Sequence, residues 1–136
     1  MNKKTVMLDS NIIISTVIFK NSKLAKTVLN IVEKHDIILS NTIIEEVRRV
    51  ISLKWPDAVV NLETFLKKLT FKLVRSPNKI VKDKYPKIRD TSDYPVLAGA
   101  IISDVDVFIT GDKDFLELKT IKPKILTVSE FEKEYL

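Results

Sequence analysis

Cysteine is absent from the 136-residue chain, which excludes disulfides, thiolate zinc sites and cysteine nucleophiles. Its absence leaves the redox compartment open, with the cytoplasm as the expectation. Histidine occurs once, at His35. It closes a helix, where the dipole favours a cation, and reads as structural rather than as a general acid. No apolar run reaches the roughly 18 residues that a spanning helix needs, and Met1-Asn2-Lys3-Lys4 leads into a strand, not into the core of a signal peptide. Repeats, linkers and low-complexity tracts are missing too. What is present, 45% apolar and 30% charged residues, is the balance of a soluble globular domain. One domain over 1–136 can bury a sizeable core and needs no metal or disulfide to fold.

The formal charge is +5, and its distribution says more than its size. From Lys67 to Arg89, nine basic residues stand against one acid, Asp83. If several carboxylates gather at one site, the remaining surface is more positive than the total suggests, which suits a polyanionic partner. A solvated basic face with no ligand is the competing reading of the same run.

Apolar periodicity and turn signals alternate strands with helices along the chain. Val6-Met7-Leu8 is a short strand followed at once by Asp9, and Asn11 to Phe19 a buried helix. Ser22 caps a second helix with Leu24, Val28, Leu29, Ile31 and Val32 as its core stripe. Asp36 to Leu39 forms the next strand, and Ser40-Asn41 opens a helix reaching about Lys54. Pro56 fits the first turn of a helix whose apolar positions include Val59, Val60, Leu62, Phe65, Leu66 and Leu69. Lys72 to Arg75 is a third strand, and Pro77 to Pro86 a basic, irregular connection. Asp93 opens a helix of small and apolar residues ending near Ser103. A strand through Val105, Val107 and Ile109, a short turn of helix at Phe115, a strand at Lys124 to Thr127 and a helix capped by Ser129 complete the chain. The alternation predicts an α/β domain with a parallel sheet and helices on both faces.

Acids follow two of these strands directly: Asp9 after the first, and Asp112 with Asp114 after Gly111 near the end. In open α/β sheets, sites form outside the carboxyl ends of parallel strands, so acids distant in sequence can meet there. Helical phase selects a further one. At about 100° per residue, Glu46 lies roughly 100° from the direction of Ile43, Ile44, Val47, Val50 and Ile51, whereas Glu45 lies roughly 160° away. Glu46 therefore borders the buried stripe and can face a cleft, while Glu45 points to solvent. Arg48 and Arg49 lie on the polar side, where they can contact phosphate or only water. Asp93 reads equally as an N-cap, a role compatible with metal binding, and Asp90 in the RDTSD turn is a secondary candidate. Crowded carboxylates raise one another's pKa and persist where a cation neutralises them. An all-oxygen ligand set selects Mg2+ or Mn2+ over zinc. Such an ion activates water and stabilises charge on a phosphate and its leaving oxygen.

In order and spacing, these segments resemble the PIN-domain ribonucleases, and among them the toxins of type II toxin–antitoxin modules. VMLDSNIIIS is similar to the family's first strand and acid, SNTIIEEVRRVI to its second-acid helix, RDTSDYPVLAGAI to its third-acid segment and FITGDKDFLEL to its fourth motif. KILTVSEFEKEYL resembles the closing strand and helix of one subgroup. The resemblance implies a three-layer α/β/α fold and metal-dependent hydrolysis of RNA phosphodiester bonds. It implies Asp9, Glu46, Asp93 and Asp112 as the metal-coordinating catalytic acids and Asp114 as an auxiliary acid, with Asn11 and Thr110 orienting the acids. It also implies a homodimer silenced by a cognate antitoxin. Ser10 stands where many members have Thr, which keeps the hydroxyl. The connection from Asn78 to Arg89 has no counterpart in the shortest members, and its Lys79, Lys82 and Lys84 are expected to bind RNA. Two other readings share the composition: a receiver-like signalling domain phosphorylated on Asp9 or Asp112, and a catalytically inert PIN-like module that binds RNA or protein.

Overall fold

Five strands, β1 (Thr5–Leu8), β2 (Asp36–Ser40), β3 (Phe71–Val74), β4 (Val107–Ile109) and β5 (Lys124–Leu126), pair in the order β3-β2-β1-β4-β5. Every pairing in this computed structural model, which describes residues 2–136, is parallel. Parallel neighbours need crossovers, and helices supply them. These are α1 (Ser10–Ile18), α2 (Lys23–Lys34), α3 (Asn41–Lys54), α4 (Val59–Lys68), α5 (Tyr94–Ile102), α6 (Lys113–Leu116) and α7 (Val128–Tyr135). They flank the sheet in a three-layer α/β/α arrangement. The inner strands are covered on both faces, which is why Val6 to Leu8 and Val107 to Ile109 are unbroken apolar runs. β3 lies at the edge, and there Lys72 and Leu73 are exposed.

The order decides between two sequence readings. A receiver-like sheet places its first strand between the second and third, 2-1-3-4-5. Here β2 lies between β1 and β3, so the receiver reading is set aside.

Local chemistry fixes the ends of the elements. Ser22 and Ser40 cap α2 and α3, their side-chain oxygens accepting the backbone N–H groups of Ala25 and Ile43. The last helix is capped by Thr127, not by Ser129. Thr127 and Glu130 form a reciprocal capping box, the T-x-x-E spacing that sets this start. β4 begins at Val107, although Val105 is fully buried. Just before it, Asp106 accepts the backbone N–H and hydroxyl of Thr5 at 2.9 and 3.0 Å, a side-chain interlock at the amino end of the β1–β4 pair. β3 starts at Phe71, one residue earlier than expected, opposite Ile37. Leu29, placed in a core stripe by periodicity, and Val60, an apolar position of its helix, are 48% and 74% exposed. Their helices turn a narrower stripe inward than the spacing alone suggests.

His35 does close α2, its backbone N–H donating to Ile31, but it carries no positive charge in this fold. Its ring is buried, and Nδ1 accepts the Lys4 backbone N–H at 2.9 Å, so the ring proton sits on Nε2. The ring packs edge-on to Phe131. Burial, ahead of the nearby lysines, lowers its pKa, against the dipole that would favour a cation. A lowered histidine pKa means that below about pH 6.5 the unfolded chain takes up a proton that the folded chain refuses. Stability from this residue is therefore present at neutral pH and lost on acidification. Thermal melts from about pH 7.5 to 5 should show the wild type losing more Tm than His35→Asn, which keeps an acceptor without titrating; parallel profiles would contradict the neutral assignment.

Candidate metal centre

The strand order reverses its direction of growth at β1 and β4, and the crevice outside their carboxyl ends is where such sheets bind ligands. Asp9 follows β1 there and is 5% exposed. Its backbone N–H donates to Ile109 at 2.9 Å, and its carboxylate accepts the Ser10 N–H at 2.8 Å and the Thr110 hydroxyl at 2.6 Å. Thr110, fully buried at the end of β4, also accepts the Asp112 N–H at 3.0 Å. One hydroxyl thus joins the acids that follow the two strands. Asp112 in turn accepts the Asp114 N–H at 2.9 Å and opens α6.

Glu46 approaches from α3, its carboxylate accepting the Ser10 hydroxyl at 2.8 Å, while Glu45 is exposed as helical phase requires. Asp93 arrives at the start of α5 but does not cap it. Its backbone is already helical, at φ −85° and ψ −9°, and Asp90 performs the capping one turn earlier through the N–H and hydroxyl of Ser92. Asp93 is left with one carboxylate oxygen buried and without a partner. Single oxygens of Asp93, Asp112 and Asp114 lie within 4.8 Å of one another. A cleft of about 400 Å³ opens beside them, lined by Thr42, Glu45, Glu46, Arg49, Ser92 and Asp93. A larger hollow of about 840 Å³ lies at the opposite, amino ends of β1, β2 and β3 and gathers no such cluster.

Proximity and burial appear directly in the protonation of these acids. Asp9 is raised to about 6, chiefly by burial and less by Glu46 and Asp112, against the hydrogen bonds from Thr110 and Ser10. Asp93 is raised to about 7 by burial, then by Asp112, Asp90, Asp9 and Glu46. The unpartnered oxygen of Asp93 and the all-oxygen donor set fit a hard divalent cation. Asp93, Asp112 and Asp114 are the acids whose oxygens converge most closely, and Asp9 and Glu46 stand near enough to help raise the Asp93 pKa.

Other predicted residues are distributed differently. Asn11 is exposed and makes no hydrogen bond to these acids among the described residues; the hydroxyl of Ser10 orients Glu46 instead. Arg48 forks onto Glu63 of α4 at 2.9 and 3.0 Å, away from the cleft, whereas Arg49 borders it 4.0 Å from Glu46. Lys79, Lys82 and Lys84 are exposed on the connection before α5, with Lys82 over the Tyr94 ring. Arg89, at the end of that basic run, is the neighbour that sequence reasoning missed. It forks onto Asp114, and only the charge run pointed toward it.

Comparison with known proteins bears on the family and the fold. The profile of a family described as "PIN domain" matches residues 5–114. The fold is similar to VapBC2 from Rickettsia felis, whose structure was determined bound to a DNA fragment from their promoter. That likeness has a TM-score of 0.64 at 16% identity and covers 90% of this chain and 96% of that one. No curated protein matches the sequence.

Raised carboxyl pKa values fix a sign for metal-free stability. The unfolded acids ionise near pH 4, while folded Asp9 and Asp93 hold their protons to about 6 and 7, so stability falls as pH rises through this window. In EDTA, wild-type Tm relative to Asp93→Asn should decline over that range. Adding Mn2+ at about pH 7.5, above both values, should restore the wild type more than the variant. Equal responses of the two proteins would show that the acids do not crowd around a cation site.

Proposed function

The chain belongs to the PIN-domain family, and on that premise we propose that it is a divalent-metal-dependent endoribonuclease, the toxin of a toxin–antitoxin pair. The observation that carries this reading is the meeting of Asp9, Glu46, Asp93 and Asp112 where β1 and β4 end, with a buried Asp93 oxygen unpartnered among them. Bound Mg2+ or Mn2+ supplies water activation and neutralises charge on the phosphate and leaving oxygen. The protein's own part is positional. Thr110 and the Ser10 N–H hold Asp9, the Ser10 hydroxyl holds Glu46, and the Thr110 hydroxyl receives the N–H of Asp112. A site fixed this way approaches its working geometry before substrate arrives.

RNA is the proposed substrate because the cleft is acidic only within. Arg49 borders it, and the exposed Lys79, Lys82 and Lys84 lead toward it along the connection that ends at Arg89. A backbone threaded over such a rim meets cations outside and carboxylates at the point of cleavage. A cognate antitoxin is the proposed protein partner, supported by the likeness to VapBC2, and a homodimer the proposed assembly.

Asp9→Asn and Asp93→Asn should keep the fold, because the amide preserves size, retains one acceptor oxygen and removes a buried, crowded acid, and should reduce cleavage of a labelled RNA to the level seen in EDTA. Wild-type turnover by either variant, or undiminished turnover in EDTA, would refute the metal-dependent site. Replacing Lys79, Lys82 and Lys84 together by Ala should weaken RNA binding and shallow the slope of log K against log salt by about 2, from roughly 0.7 per neutralised phosphate. An unchanged slope would remove that surface from the RNA path.

A further inference from the structure

We propose that Arg89 is a substrate-binding residue which grips the RNA phosphate next to the one cleaved, and that Asp114 is its holder instead of a cation ligand. The inference rests on the endoribonuclease reading of the same pocket. The Arg89 guanidinium forks onto Asp114, with Nε donating to Oδ1 at 2.8 Å and Nη2 to Oδ2 at 2.9 Å. Both oxygens of Asp114 are thereby engaged from one side. The Asp114 side chain is only 11% exposed, and its backbone N–H is held by Asp112, so the carboxylate is fixed to the acidic cluster. The Arg89 side chain is 80% exposed.

An ordinary surface ion pair joins two mobile, solvated side chains and contributes little. This pair is built otherwise. Its acidic member belongs to the pocket, and the chain beside its basic member is anchored by Ile88, which is 2% exposed and donates its backbone N–H to the Tyr94 hydroxyl at 3.4 Å. A lysine could satisfy the charge of Asp114. A guanidinium anchored through Nε and one face of Nη2 still presents its other N–H groups to solvent, in the planar arrangement that suits phosphate oxygens. Among the described residues, the carboxylates of the pocket meet basic side chains at two places, Glu46 with Arg49 and Asp114 with Arg89. Arg89 makes the tighter contact and stands at the end of the basic connection along which RNA would travel. One Asp114 oxygen lies within 4.8 Å of single oxygens of Asp93 and Asp112, while the Arg89 side chain is mostly exposed, so a phosphate on Arg89 would sit at the pocket rim and not at its floor.

The test separates a holder from a ligand. RNA affinity is measured by anisotropy with a short fluorescein-labelled single-stranded RNA, in an Asp9→Asn background that prevents cleavage. Mn2+ affinity is measured separately by electron paramagnetic resonance on proteins with Asp9 intact. Arg89→Ala should weaken RNA binding roughly tenfold, as loss of charge-assisted hydrogen bonds predicts. Asp114→Asn should weaken it comparably, the two together little further, and Arg89→Lys should recover only part. Mn2+ affinity should be unchanged by Arg89→Ala and Asp114→Asn but reduced by Asp93→Asn. If Asp114→Asn lowers Mn2+ affinity as Asp93→Asn does, Asp114 is a ligand and the inference is overturned. If Arg89→Ala and Arg89→Lys bind RNA as tightly as their parent, it is overturned while the endoribonuclease reading stands. A wild-type chain that binds neither Mn2+ nor RNA would overturn both.

Discussion

The hydrogen bond from Thr110 to Asp9 joins residues 101 positions apart and holds the pocket to the sheet. It exists because β1 and β4 pair in parallel with Leu8 opposite Ile109, so each strand delivers its next residue to the same edge. A slip of one position would exchange the faces of β4 and carry the Thr110 hydroxyl away from Asp9. The pairing is secured at both ends: by Thr5 and Asp106 at the amino side, and by the Asp9 N–H and Thr110 at the carboxyl side. Glu46 depends on the same anchor, since its partner Ser10 is the residue after Asp9. A close approach of α5 completes the arrangement. A Cβ on Gly99 would lie 3.1 Å from the Ser76 hydroxyl and 3.4 Å from the Ser40 side chain, so a residue without one lets α5 settle on the end of β2. That helix brings Asp93.

Such a pocket opposes folding. Buried and crowded carboxyl groups retain protons well above their usual range, and an oxygen of Asp93 finds no donor. The protein offsets this with donors aimed at Asp9 and Glu46, with the Asp114 N–H on the Asp112 carboxylate and with arginines at the margin, one 4.0 Å from Glu46 and one forked onto Asp114. The remaining tension is what a bound cation would relieve under the proposed function. The chain has a net charge of +5 although its most negative feature is at its centre, so the outer surface is more basic than the total conveys.

Strand order of appearance, the parallel sheet and the meeting of distant acids were legible because they follow from local rules. Apolar runs followed by acids mark strand ends, and the phase of α3 separated Glu46 from Glu45 without reference to any other element. What escaped depends on contacts between elements. Asp93 looks like a cap until Asp90 is seen to do the capping. His35 looks like a cation until Lys4 arrives from β1's flank to donate to it. Leu29 and Val60 fit an apolar stripe by spacing, yet Leu29 is only half covered and Val60 mostly exposed. Arg48 and Arg49 are neighbours in sequence, but the helix turns one toward Glu63 and the other toward the cleft. Arg89 lay in a charge run whose members differ only in where the backbone takes them.

The span between Asp9 and Thr110 also sets when the pocket can first exist. Parallel pairing of β1 with β4 requires most of the polypeptide, and contacts so remote in sequence form late. During synthesis the amino-terminal segments leave the ribosome first, with Asp9 and Glu46 already present but no β4 to hold them. A nascent chain of this design is therefore without a finished acidic centre until β4 has been made and has paired with β1.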